Sequence, residues 1–161
     1  MNHADGQIIT KLGRKRRMRL AWIASALVGS TVAAHAFDEQ AVAAKCAADW
    51  SADFAMQKFC RDQAVKAHSE ATDAWSTSTA QRMPAEAFDK CRADWTNDWV
   101  MIAFCTKQQI DAFSTIADTT EGLSPDVASQ INTKCAADWS SDFVMQKFCA
   151  EQQAEAFKAL Q

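Results

Sequence analysis

Turn-forming residues are scarce in this 161-residue chain: it has four glycines, two prolines and no tyrosine. Gly6, Gly13 and Gly29 all fall before residue 30, which leaves Gly122 as the sole glycine of the remainder. So few turn and strand formers exclude a sandwich or barrel of many short strands, and the wealth of Ala, Gln, Glu, Lys and Met makes helix the expected state. Histidine is nearly missing too, with His68 the only one after residue 36. There is no Cys-x-x-Cys pair, no haem-attachment Cys-x-x-Cys-His, no glycine-rich phosphate loop and no nucleophile elbow. These absences leave no catalytic constellation to assemble, so the chain reads as a non-enzyme with no cofactor.

Long apolar runs are also lacking. The stretch from Leu20 to about Ala33 contains Gly29, Ser30 and Thr31 and falls short of the ~20 residues that a bilayer span needs. Lys11, Arg14, Lys15, Arg16, Arg17 and Arg19 precede it, and Ala34-His35-Ala36 follows. That order is the signature of a secretory signal peptide over residues 1–36, with Phe37 as the expected mature start and cleavage after Ala34 as the next choice. The whole chain carries 17 basic and 20 acidic residues; the signal removes six basic residues and Asp5, leaving 11 against 19, a net charge of −8. A basic surface for nucleic acid or anionic lipid is excluded. The expected location is the periplasm or the cell exterior, without stable membrane insertion after cleavage.

Against these absences stands one block that occurs three times. Lys45 to His68 returns as Lys90 to Phe113 and as Lys134 to Phe157, with starts 45 and then 44 residues apart. Self-similarity at such a period marks a repeat architecture, here with repeats over 37–82, 83–122 and 123–161. All six cysteines lie in the block, one pair per copy: Cys46 and Cys60, Cys91 and Cys105, Cys135 and Cys149. Export implies an oxidising compartment. Six cysteines allow 15 connectivities, among which pairing within each copy is the economical choice.

Pairing within a copy dictates a chain reversal. Cysteines 14 residues apart would be ~21 Å apart on one straight helix, whereas a disulfide tolerates Cα atoms no more than about 7 Å apart. The reversal fits the segments Trp50–Asp53, Trp95–Asp98 and Trp139–Asp142, each with a Ser or Thr and an Asp where a second helix should be capped. Asp38, Pro84 and Ser124-Pro125-Asp126 supply starts for the first helices. The expectation is all-α: six helices at about 39–49, 52–74, 85–95, 97–116, 125–138 and 141–160, forming three tandem disulfide-stapled helical hairpins after the signal peptide. Ser76 to Thr79 with neighbouring Gln81, and Thr119 to Gly122, read as the linkers between repeats.

Counting from the first cysteine of each copy, Met at +10, Phe at +13, Cys at +14, Gln at +17 and Ala at +21 are common to all three. At 100° per residue they fall on one face about 100° wide, which is expected to be the packed interior of the hairpin. Gln63, Gln108 and Gln152 would then need hydrogen-bond partners inside. Trp50, Trp95 and Trp139 end the first helices, while Phe54, Trp99 and Phe143 follow the turn. They are expected to plug the open end of each hairpin. Their sharper reading is a contact row for a protein or peptide partner, carried by Trp50, Trp95, Trp99 and Trp139, and the same aromatics could equally form the surface on which neighbouring repeats stack. A soft-metal alternative places Cu(I) on Cys/Met triads, Cys46, Met56 and Cys60, Cys91, Met101 and Cys105, and Cys135, Met145 and Cys149, since thiolates and thioethers suit that ion. The Asp pairs at +3 and +7 lack the ligand spacing and turn glycine of a calcium loop.

The repeated Cys-x3-Trp-x2-Asp-[Phe/Trp]-x-Met-x3-Cys block resembles a motif of small exported bacterial repeat proteins, in which Tyr also occurs after the Asp. Such relatives often place Pro or Gly after the Trp and Tyr before the second cysteine, where Ser51, Thr96 and Ser140, and Phe59, Phe104 and Phe148, stand here. The resemblance implies an exported bacterial repeat protein and no particular activity. A non-enzymatic binding or structural role is the expectation, with the residues peculiar to the middle copy, Trp99, Ile102 and Ile110, as the first place to look for it.

Overall fold

Six α-helices dominate the computed structural model, which describes residues 36–161: α1 (Glu39–Asp49), α2 (Phe54–Trp75), α3 (Glu86–Asp94), α4 (Trp99–Thr115), α5 (Pro125–Asp138) and α6 (Phe143–Ala159). No strand occurs among the described residues. Short 3-10 turns at Ala80–Arg82 and Ile116–Thr120 fill the linkers. The signal-peptide assignment lies outside the described residues, apart from Ala36.

The turns form for local reasons. Trp50, Trp95 and Trp139 each donate their N–H to the carbonyl of the cysteine four residues before them, at 3.1, 3.1 and 3.0 Å. Each tryptophan carbonyl then accepts the N–H of Asp53, Asp98 or Asp142 at 3.1, 2.9 and 3.0 Å. Those aspartates are the N-caps of α2, α4 and α6, accepting from the N–H of Met56, Met101 and Met145 at 3.0, 3.2 and 3.1 Å. A capped first turn satisfies one of the orphan donors of the helix and places a carboxylate at its positive end. Ala52 and Asn97 make the reversal in left-handed backbone, with φ of 65° and 61°. Asp38 and Ser124 cap α1 and α5 as expected, whereas α3 starts after Ala85 with no side-chain cap.

The reversal brings the cysteines together within each hairpin. Cys46–Cys60, Cys91–Cys105 and Cys135–Cys149 are disulfides with Cα separations of 5.8, 5.7 and 5.7 Å. Closing a loop of this size stabilises by roughly 3 kcal/mol in the chain-entropy account. That is substantial for helix pairs whose own cores are small. The innermost core of the third hairpin consists of Ile131, Cys135, Ala150 and Ala154.

The second helices pack in series, α2 on α4 and α4 on α6, while α1, α3 and α5 each pack on the second helix of their own hairpin. Two of the three buried clusters consequently bridge hairpins. Trp99 and Ile102 of the second hairpin share a cluster with Val42, Cys46, Ala64, Ala67 and Ala71 of the first. Phe143 of the third shares another with Ala80 of the linker and with Met83, Ala87 and Ala112 of the second.

One expectation about packing needs correction. The face common to the three copies is not wholly interior, since Phe59, Phe104 and Phe148 are 54–55% exposed and Gln108 and Gln152 are exposed as well. The helical wheel groups residues on a face correctly but does not say which margin a neighbouring helix covers. Here the covering neighbour reaches Ala64, Ala67, Gln109 and Ala112 instead.

Candidate functional site

Two surfaces of the hairpin series carry aromatic side chains, and they are built differently. At the hairpin ends Trp50, Trp95 and Trp139 stay half-buried to exposed, at 42, 41 and 42%. Their backbone groups are fixed by the turn, and Gln57 and Gln146 donate a further hydrogen bond to the carbonyls of Trp50 and Trp139 at 3.0 and 2.7 Å. Trp99 does not join them. It is 4% exposed, edge-on to His68 with ring centroids 4.4 Å apart and 5.9 Å from the ring of Phe37. Trp99 is thus part of the joint between hairpins, as is Ile102, while Ile110 packs half-buried against the neighbouring cluster. Of the residues peculiar to the middle copy, Trp99 and Ile102 therefore serve packing.

The second surface is the outer margin of α2, α4 and α6, where Phe59, Phe104 and Phe148 occupy one position in each hairpin. An open groove of about 530 Å³ runs between α2 and α4, with Gln63, Val100, Phe104 and Ile110 among its walls. Its counterpart between α4 and α6, about 610 Å³, is walled by Gln108, Ala112, Val144 and Phe148. Val100 and Val144, Phe104 and Phe148, and Gln63 and Gln108 hold matching positions in the two grooves. The charges on the rim neutralise one another: Lys66 pairs with Glu70 at 3.2 Å, and Lys107 pairs with Asp111. An apolar floor with a self-paired rim suits an uncharged, apolar stretch better than a strongly ionic ligand. The sequence did carry a signal for this margin, because positions +16 and +20 beside the phenylalanine are charged in every copy: Asp62 and Lys66, Lys107 and Asp111, Glu151 and Glu155.

The joints between hairpins supply the remaining electrostatics. Lys45 bridges Asp49 of its own helix at 2.6 Å and Asp98 of the next hairpin at 3.6 Å; Lys90 repeats the arrangement with Asp94 and with Asp142 at 3.5 Å. The hydrogen bond to Asp49 holds Lys45 above the ordinary lysine value of 10.5; partial burial opposes the rise and the Asp98 carboxylate adds to it. Asp94, partial burial and Asp142 act likewise on Lys90. Gln109, to which no repeated sequence feature points, is the buried polar link of the second joint. Its Nε2 donates to Asp142 Oδ1 at 3.1 Å and its Oε1 accepts from the Phe143 N–H at 2.7 Å.

The two cysteine sulfurs of each Cys/Met triad are bonded to each other as a disulfide, which leaves no thiolate for a soft metal in the oxidised chain. Comparison of the chain with protein-family models, with curated proteins and with solved structures found no match.

Proposed function

We propose that this chain is an exported, non-catalytic binding protein built of repeats, working in the periplasm or outside the cell, and that it grips an apolar stretch of a protein or peptide along α2, α4 and α6. The observation that carries this reading is the recurrence of a half-exposed phenylalanine, Phe59, Phe104 and Phe148, at one position of each hairpin. Leaving three large aromatic rings half in water forfeits part of the roughly 1.5–3 kcal/mol that full burial of each would give, so a large exposed ring repeated in every hairpin supports an interaction surface. Repetition favours binding over catalysis, because successive weak contacts along one ligand multiply in affinity. Three disulfides are compatible with an oxidising compartment. No helix among the described residues is long and apolar enough to cross a membrane. The exposed Trp50, Trp95 and Trp139 offer a second set of contacts at the hairpin ends.

The test is a binding titration against a set of extended apolar peptides, with Phe59→Ser/Phe104→Ser/Phe148→Ser beside the wild type. Because all three rings are half-exposed, the variant should keep its helix content and its disulfides while affinity falls at least tenfold. Trp95→Ala, measured in parallel, reports on the hairpin-end surface. Unchanged affinity in the triple variant would defeat the phenylalanine row as the site.

A further inference from the structure

The joint between hairpins is built twice within the chain from equivalent parts, and the two ends of the series carry one unmatched half each. In both joints the aromatic residue just after the Asp cap enters the preceding hairpin: Trp99 is 4% and Phe143 7% exposed. Around it the preceding hairpin supplies an aliphatic residue four before the first cysteine, a small residue at +21 and a ring at +22. These are Val42, Ala67 and His68 in the first joint, and Ala87, Ala112 and Phe113 in the second. The lysine before the first cysteine then reaches the capping aspartate, Lys45 to Asp98 at 3.6 Å and Lys90 to Asp142 at 3.5 Å.

The third hairpin has this receiving half with nothing in it. Ile131, Lys134, Gln153, Ala156 and Phe157 line an open cavity of about 440 Å³. Ala156 and Gln153 are exposed, although their counterparts Ala112 and Gln109 are buried. The Lys134 side chain is 54% exposed, against 35% and 32% for Lys45 and Lys90, which have a second carboxylate. The first hairpin has the inserting half with nothing to enter among the described residues: Phe54 is 79% exposed, and its capping residue Asp53 is exposed too.

We propose that the occupant of each half is a second copy of this chain, so that the first hairpin of one molecule docks on the third hairpin of another, head to tail. Phe54 fills the cavity beside Ala156 and Phe157, Lys134 pairs with the Asp53 carboxylate, and Gln153 takes the place that Gln109 holds within the chain. The Gln153 amide then donates to Asp53 and accepts the Phe54 N–H, one of the orphan donors of its helix. Charge, shape and hydrogen-bonding partners all match because the contact continues the series by the same step. Such a contact is heterologous: it saturates only if it closes a ring and otherwise extends into open chains. The inference does not rest on the phenylalanine row, whose rings stay exposed beside the joints.

Sedimentation velocity on the oxidised wild-type chain, expressed with its own leader, tests it from about 10 µM to about 1 mM, the range in which a contact made effectively intramolecular by a short linker operates. Weight-average mass should rise with concentration. Phe54→Asp removes the inserting half and Ala156→Arg blocks the receiving half, and both residues are exposed in the single chain, so neither change should disturb folding as read by circular dichroism. Each variant alone should stay monomeric across the range. Mixed in equal amounts they should form dimers and nothing larger, because only one productive contact survives per pair. A wild type that stays monomeric throughout, variants that associate as the wild type does, or a mixture that fails to dimerise would each overturn the proposal. Association lost in Phe104→Ser but kept in Phe54→Asp would assign self-contact to the phenylalanine row and overturn it as well.

Discussion

Truncating Trp99 to alanine should cost far more than truncating Phe54, although the two residues hold the same position in successive copies. Trp99 is 4% exposed, with His68 and Phe37 against its ring and the buried Val42, Cys46, Ala64, Ala67 and Ile102 in the same cluster. Large-to-small changes of a buried aromatic cost about 3–5 kcal/mol in lost transfer energy and residual cavity. That is a large share of the ~5–15 kcal/mol by which a domain is stable. Phe54 is 79% exposed, and its truncation should fall within about 0.5 kcal/mol of zero in the monomer. Urea unfolding followed by far-UV circular dichroism, with disulfides intact, measures both. With a slope of about 1–3 kcal/mol per molar urea, Trp99→Ala should lower the midpoint by more than 1 M. Because it uncouples the first hairpin from the second, the transition should also broaden, as in arrays held by nearest-neighbour contacts. Equal costs for the two truncations, or a cost below about 1 kcal/mol for Trp99→Ala, would refute the claim that this position joins hairpins.

Ala52→Gly should stabilise the chain by up to about 1 kcal/mol, seen as a higher urea midpoint, because Ala52 sits at φ 65°, where a side chain costs ~1–2 kcal/mol that glycine avoids at some entropic expense. Thr106 is fully buried in α4 with no partner for Oγ1, so Thr106→Val should be stabilising by about 1 kcal/mol, and any loss of stability would mean that the hydroxyl is satisfied in solution. Lys45 and Lys90 are held above 10.5, so their contribution to stability is complete below that value and is lost as pH rises through their raised folded values. Thermal unfolding should weaken above pH 10.5, modestly for side chains about one-third exposed, and less so in Lys45→Met/Lys90→Met. Titration of the natively oxidised chain with a thiol reagent should find no free thiol until a reductant is added, and Cu(I) should bind only the reduced form; tight binding to the oxidised chain would revive the Cys/Met triads.

The hairpins were legible in the sequence because they follow from distances that any chain must obey. Two cysteines 14 residues apart cannot bond across a straight helix, and the Trp-x-x-Asp segment between them offers a cap at the point of reversal. Burial was less legible, and Phe54 and Trp99 show why. Their local sequences place them alike after an Asp cap, yet one is exposed and the other enclosed, since the atoms enclosing Trp99 belong to the preceding hairpin and none precedes the first among the described residues. The phenylalanine margin was misplaced for a related reason: shared identity at +13 shows that each copy keeps the ring, and the charged positions beside it had to be weighed to see that it faces outward. Gln109 was invisible because its partners, Asp142 and Phe143, lie 33 and 34 residues away.

The middle hairpin departs from its neighbours in the way a position between two others requires. Where the outer hairpins have Gln57 and Gln146, whose amides donate to the tryptophan carbonyls, the middle one has Ile102, buried at 1% in the cluster shared with the first hairpin. The exchange gives up a hydrogen bond with a net value of about 1 kcal/mol. It gains the roughly 1.5–3 kcal/mol of burying an aliphatic side chain. Burial wins there because the atoms that enclose Ile102 come from the first hairpin. Among the described residues no hairpin precedes Gln57, so there the hydrogen bond is the better use of the position. Gln146 does have a neighbour and is buried, but that neighbour presents Gln109 and Ala87 in place of Ala64 and Val42, and this more polar, smaller surface gives an aliphatic residue less to gain. The differences among the copies thus follow the order in which the hairpins pack, and the residues the copies hold in common on the outside, the phenylalanines at +13 and the tryptophans at the hairpin ends, are left as the surface available to a partner.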